Sequence, residues 1–236
     1  MWDAGPPVRL DGRATMSALL GESERWQAWN KPAGIPVFPP HADPEGDCLL
    51  ARTGLSSEGW DERFAGGIVH RLDTPTSGQV LSARSPSDLE WLRALFSERR
   101  LQKVYRFVSE GEVPWDEHEV AVPIAHHKRK RAAMICQRGA NTPHRGKWYD
   151  AYTRFRRVGF AHQGQTVWEA TITTGVMHQI RVHAAFVGIP LRGDKRYGGG
   201  QPIDANTPFL LHHLGMTGPD LCPPKAPMPD TWPITE

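Results

Sequence analysis

Short β-branched and aromatic runs, broken by turn residues and joined by only two helical patterns, constrain this 236-residue chain to a strand-rich fold. WQAWNKPAGIPVFPP (26–40) reads as a strand entering a turn, because Pro32, Gly34 and Pro36 do not fit inside a regular ladder. GGIVHRLDTPTSGQVLSAR (66–84) reads as a strand at 67–69, a polar loop, and a strand at 79–83. LQKVYRFVSEG (101–111) is strand-like, as are 149–157, 166–173 and 209–215. One helix is predicted after Ser85 or Ser87, with Leu89, Leu92, Leu95 and Phe96 on one face. A second is predicted over 177–187, stopped by Gly188 and Pro190. Many strands and few helices in irregular order predict an α+β fold: a curved, mostly antiparallel mixed sheet with flanking helices and loops.

The organisation expected is a loose lead-in at 1–24, one domain over 25–218, and an extended Pro-rich tail at 219–236 with six prolines between 219 and 233. No stretch of about 18 apolar residues is present to cross a membrane as a helix. The first residues lack an apolar signal-peptide core, so a cytoplasmic protein is expected. Three scattered cysteines, Cys48, Cys136 and Cys222, without a Cys-x-x-Cys pair, point away from a zinc site or a disulfide framework. A monomer is expected. Net charge is only +2, but 126–157 holds ten Lys/Arg against one acid, Asp150, which leaves 18 basic and 25 acidic residues elsewhere. That polarity predicts one face turned toward a polyanion, with Lys128, Arg129, Lys130 and Arg131 as its densest cluster.

Four segments place polar side chains where a plain core would not. His70-Arg71-Leu72-Asp73, closed by Thr76-Ser77-Gly78, puts an acid between two apolar pieces. Lys103-Val104-Tyr105 puts a tyrosine on a strand beside a cation. In GVMHQIRVH (175–183), His178 and Arg181 share a helix face three residues apart. GDKRYG (193–198) is a turn-rich loop beyond that helix.

These segments resemble the RluA-type pseudouridine synthase family. HRLDTPTSG resembles its HRLD-x-x-TSG signature loop, KPAGIPVFPP its KPxGxxVHP motif, and QKVYRFVSEG its K-x-Y strand. GVMHQIRVHAAFVGIPLRGDKRYGG resembles GRxHQIRxHxxxxGxPxxGDxxYG, and FLLHHLGM a late LHAxxL strand. The matches run in family order from Lys31 to about Met216. His70 stands where the RsuA-type branch has glycine.

The resemblance implies isomerisation of uridine to pseudouridine in RNA, ribosomal or transfer, with no cofactor and no metal. Asp73 falls on the catalytic aspartate, Tyr105 on the active-site tyrosine, and Arg181 on the arginine that ion-pairs the aspartate. A carboxylate beside the sugar suits a reaction that breaks and remakes a glycosidic bond. The target base must leave its helix, and the basic region would offset that cost by holding phosphates. His70 and Arg71, flanking Asp73, are expected to fill the gap left by the base or to grip phosphate. Two departures stand out: Val176 replaces the arginine of the GRxHQIR pattern, and Phe38 replaces a histidine. Arg192 and Arg196 are candidates to replace the missing cation. The departure at 176 also admits an RNA-binding protein on the same fold without catalysis. A metal-dependent hydrolase using His70, Asp73, His178 and His183 is a further alternative, although its ligand spacing is poor.

Overall fold

The computed structural model describes residues 18–109, 113–161, 165–201, 203 and 208–232. In chain order its elements are β1 (Leu19–Glu22), β2 (Trp26–Lys31), α1 (Leu49–Thr53), a 3-10 segment at Glu62–Gly67, β3 (Ser77–Ala83) and α2 (Pro86–Ser97). Then come β4 (Gln102–Ser109), β5 (Glu117–Val120), β6 (Ile124–His127), β7 (Met134–Cys136), β8 (His144–Tyr149), β9 (Thr153–Phe160), β10 (Thr166–Ile172), α3 (Gln179–Phe186) and β11 (Leu211–Thr217). Eight strands form an open sheet in the order β1-β2-β3-β11-β4-β10-β9-β5, and three more form a small sheet, β7-β6-β8. Every pairing is antiparallel except β11 with β3. The fold is the α+β class expected, with a mixed sheet and few helices.

The parallel pairing accounts for one glycine of the TSG sequence. Gly78 sits opposite His213 with φ +115°, and a Cβ there would lie 2.1 Å from the His213 carbonyl oxygen. Only glycine lets β11 close against β3. Ser77 supports the same seam, its hydroxyl 2.8 Å from His212 Nδ1.

The main core is buried along the central strands, where Val80, Phe107, Phe155, Trp168 and Leu211 meet Ile180 and Ala184 of α3. A second cluster packs Leu89, Leu92 and Leu95 of α2 against Leu81 and Ala83 of β3. Ser85 caps α2, its hydroxyl accepting from the Asp88 amide.

Several elements depart from the sequence reading. The expected strand at 67–69 is a single bridge, Ile68 to Ser82, following a 3-10 segment whose two glycines take positive φ. The run 149–157 is divided between β8 and β9 around Asp150, so one alternating pattern spans two sheets. Of the expected lead-in, 19–22 forms β1, held by hydrogen bonding to β2, while residues 1–17 lie outside the described residues. The tail is extended as expected but is not simply surface chain. Leu221, Ala226 and Trp232 are buried, and Pro224 carbonyl oxygen accepts from Gln79 Nε2 at 2.7 Å.

Candidate active site

A cavity of about 510 Å³ opens over the central strands, lined by the loop before β3, by Lys103 and Tyr105 of β4, by 175–181, and by Leu211. These segments and Phe96 of α2 meet at one place, and three of them contain the polar sequences described above.

The loop bearing Asp73 is fixed from beneath by a buried lysine. Lys31 is fully buried and donates to the carbonyls of Pro32, Ile35 and Thr74, at 2.9, 2.7 and 3.1 Å. The Gly34 amide also donates to Thr74 carbonyl oxygen, and Thr76 amide closes the turn on Asp73 carbonyl oxygen. Burial lowers the Lys31 pKa to about 7, against the opposing pull of Asp73. This is why a lysine and a Pro-Gly turn about 40 residues upstream belong to the site: they anchor the residue that follows Asp73.

Arg181 projects from the first turn of α3 and is held on two sides. Its Nη1 donates to Asp73 Oδ2 at 3.1 Å, while Nε and Nη2 donate to the two oxygens of Asp194 at 2.7 and 3.0 Å. The guanidinium carbon lies 4.4 Å from the Phe209 ring and 5.2 Å from the Tyr197 ring. A bidentate carboxylate and two aromatic neighbours leave Arg181 little freedom. Asp194 is 2% exposed, and the sequence alone marks its GDKRYG loop without giving the aspartate a role. Gly193 permits that loop: with φ +82°, a Cβ would lie 1.9 Å from Pro208 carbonyl oxygen.

His178 adds a second neighbour to Asp73. It takes a left-handed backbone, φ 56°, just ahead of α3, which turns its ring into the cavity with Nε2 3.6 Å from Asp73 Oδ2. Burial, reinforced by the Arg181 charge, lowers its pKa to about 4 despite the attraction of Asp73, so the ring is neutral at pH 7. Both neighbours approach Oδ2, and Asp73 Oδ1 carries no hydrogen bond among the described residues.

Tyr105 lies in the cavity wall with its ring stacked 4.4 Å from His213. Burial, with the Asp73 charge, pushes its phenol well above the usual range, so it stays protonated. Lys103 lines the same wall with no hydrogen-bonded partner among the described residues, and burial lowers its pKa to about 8.

The structure separates the remaining sequence candidates. Arg71 is exposed at the cavity rim, free to reach outward. His70 points the other way. Its Nε2 accepts from the Leu81 amide at 3.1 Å and its ring lies against Phe96 and His213, so it forms part of the cavity wall and does not reach out to phosphate. Burial holds its pKa well below the ordinary value. Val176 lines the cavity and is half-buried against the apolar cluster that contains Met134, Cys136 and Val182. Neither Arg192 nor Arg196 lines the cavity, and Arg196 Nη1 donates to Arg131 carbonyl oxygen. The four residues of the hydrolase alternative are not assembled: His183 bonds Thr153 and Val122 carbonyl oxygen, away from His70 and Asp73.

The basic region also divides. Lys128–Arg131 form the exposed loop between β6 and β7, shaped by His127 Nδ1, which accepts from the Arg129 and Lys130 amides. Arg145 and Lys147 are exposed on β8. Arg154, Arg156 and Arg157 instead sit on β9 beside Glu117, Glu169 and Asp116. The cations of this region without an acidic partner among the described residues are those of the small sheet and its loops.

A family model described as RNA pseudouridylate synthase matches residues 25–186. Among curated relatives, an uncharacterized RNA pseudouridine synthase, YlyB, of Bacillus subtilis (strain 168) is 34% identical over 195 residues, covering 81% of this chain and 60% of the relative. Ribosomal large subunit pseudouridine synthase D of Yersinia pestis is 34% identical over 175 residues, 72% of this chain and 49% of that protein. The chain thus spans about half to three fifths of the length of these two relatives. A solved structure of human RNA Pseudouridylate Synthase Domain Containing 1 superposes with a TM-score of 0.71 at 22% identity, covering 93% of this chain and 86% of that one, which shows the shared fold.

Proposed function

This chain belongs to the RNA pseudouridylate synthase family, and we propose that it isomerises a specific uridine in ribosomal or transfer RNA, with Asp73 at the sugar. The observation that carries this reading is the state of Asp73: it lines a cavity of about 510 Å³, its Oδ2 is tied to Arg181, and its Oδ1 has no protein hydrogen-bond partner among the described residues. A carboxylate aimed in this way stabilises or captures an electron-poor anomeric carbon as the bond to N1 breaks. The detached uracil turns in the cavity and rejoins the sugar through C5, whose proton is then lost.

Tyr105 lies beside the base, its phenol protonated and available as a donor. Lys103 offers an ammonium on the cavity wall to a uracil carbonyl or to the ribose-phosphate backbone. Extruding the base costs a few kcal/mol. Lys128, Arg129, Lys130 and Arg131, with Arg71 at the rim, hold phosphates and offset that cost.

Val176 favours a second reading, an RNA-binding protein without catalysis, because it removes a cation from the cavity's edge. Tritium release from transcripts labelled at uridine C5 separates the two. The isomerase releases tritium from C5 as the new bond forms, and a pure binder releases none.

A further inference from the structure

Resting on that reading, we propose that Tyr197 is a positioning residue that fixes the tautomer of His178, so that His178 presents an Nε2–H to Asp73. The protons can be counted from the small sheet inward. Met134 amide lies 2.9 Å from the Tyr197 hydroxyl oxygen and can only donate to it. The hydroxyl proton has no other acceptor among the described residues than His178 Nδ1, at 2.8 Å, and a proton on Nδ1 would leave it buried without one. Burial keeps both groups in the required state: it raises the Tyr197 pKa to about 12 and leaves His178 neutral. A neutral imidazole that accepts at Nδ1 carries its single proton on Nε2. Nε2 faces Asp73 Oδ2 at 3.6 Å, longer than a direct hydrogen bond but near enough for a proton on Nε2 to attract the carboxylate and a bare nitrogen to repel it.

The consequence is a division of labour on one carboxylate. Arg181 and His178 both approach Oδ2, from different parts of the turn that starts α3, and Oδ1 is left toward the sugar. With the opposite tautomer, a bare Nε2 would face the carboxylate and repel it, and Asp73 could rotate about Arg181. The hydrogen-bonded chain begins on β7 of the small sheet, so a backbone amide outside the cavity sets a proton inside it.

The direct test is the pair of imidazole ¹⁵N shifts of His178 at pH 7, in the parent and in Tyr197→Phe. We expect the parent ring to be protonated at Nε2 alone, and the variant to show a tautomer mixture. In turnover, we expect Tyr197→Phe to lower kcat about tenfold, about 1.4 kcal/mol, with KM within about twofold. Tyr197→Phe also leaves the Met134 amide unpaired, so the same change is made in His178→Gln, whose side-chain amide donates whichever tautomer histidine would have chosen. There it should lower kcat less than about twofold, because the coupling is gone. A parent ring protonated at Nδ1, or an equal kcat loss in both backgrounds, overturns the inference. The nitrogen shifts read the tautomer whether or not the protein forms pseudouridine, so failure of the proposed function and failure of this inference are separate results.

Discussion

Asp194 grips Nε and Nη2 of the Arg181 guanidinium, at 2.7 and 3.0 Å, and leaves Nη1 for Asp73. The geometry makes Asp194 the residue that aims the cation, and Asp73 the residue that is aimed. Because Asp194 and Arg181 are both almost wholly buried, neutralising Asp194 leaves the guanidinium with Asp73 as its one remaining carboxylate among the described residues.

Asp194→Asn is therefore expected to destabilise the fold by about 3 kcal/mol and to lower turnover at least tenfold. Urea unfolding reads the first and tritium release the second. RNA affinity should stay within a few-fold. A variant as stable and as active as the parent would show that Arg181 is positioned by other groups.

Tyr105→Phe separates the ring from the hydroxyl. The hydroxyl has no protein hydrogen bond among the described residues, so its removal should change stability by less than about 1 kcal/mol. Turnover should fall at least tenfold with RNA binding retained, because the ring still stacks on His213. Unchanged turnover would confine Tyr105 to packing.

Much of the site is legible in the chain, and the limits have physical causes. Asp73, Tyr105 and Arg181 sit in polar sequences inside apolar surroundings, and local sequence signals such a conflict. Asp194 and Lys31 are harder to assign, since each acts on a distant segment and its own surroundings read as an ordinary turn. His70 looks like an outward hand because it abuts Arg71, yet the loop turns its ring in toward Leu81. The basic stretch 126–157 reads as one patch. Strand register divides it, placing the β9 arginines against acids and the 128–131 loop in solvent.

Replacing Lys128, Arg129, Lys130 and Arg131 with glutamine should weaken RNA binding and flatten its salt dependence. Every phosphate that no longer meets a cation should reduce the slope of log affinity against log salt by roughly 0.7 to 0.9. An unchanged slope would make the loop solvated surface only.

Stability should fall with acid, through buried histidines. Burial lowers the pKa values of His178 and His212 to about 4 and of His213 to about 3. The unfolded chain takes up these protons below about 6.5 while the folded chain does not. The contribution is thus intact above about pH 6.5 and is lost as pH falls toward about 4, by about 1.4 kcal/mol per pH unit for each histidine. Urea midpoints at pH 7 and pH 5 check the direction. A higher midpoint at pH 5 would contradict the buried neutral state.

The central claim is that the Asp73 carboxylate performs an RNA isomerisation. Pseudouridines are mapped across total RNA from cells that lack this protein, then from the same cells carrying the parent or Asp73→Asn. We expect the parent to add conversion at one uridine or a small set, and Asp73→Asn to add none while the purified variant still binds RNA within a few-fold of the parent. The same sites appearing with Asp73→Asn, or no site appearing with the parent, would contradict it.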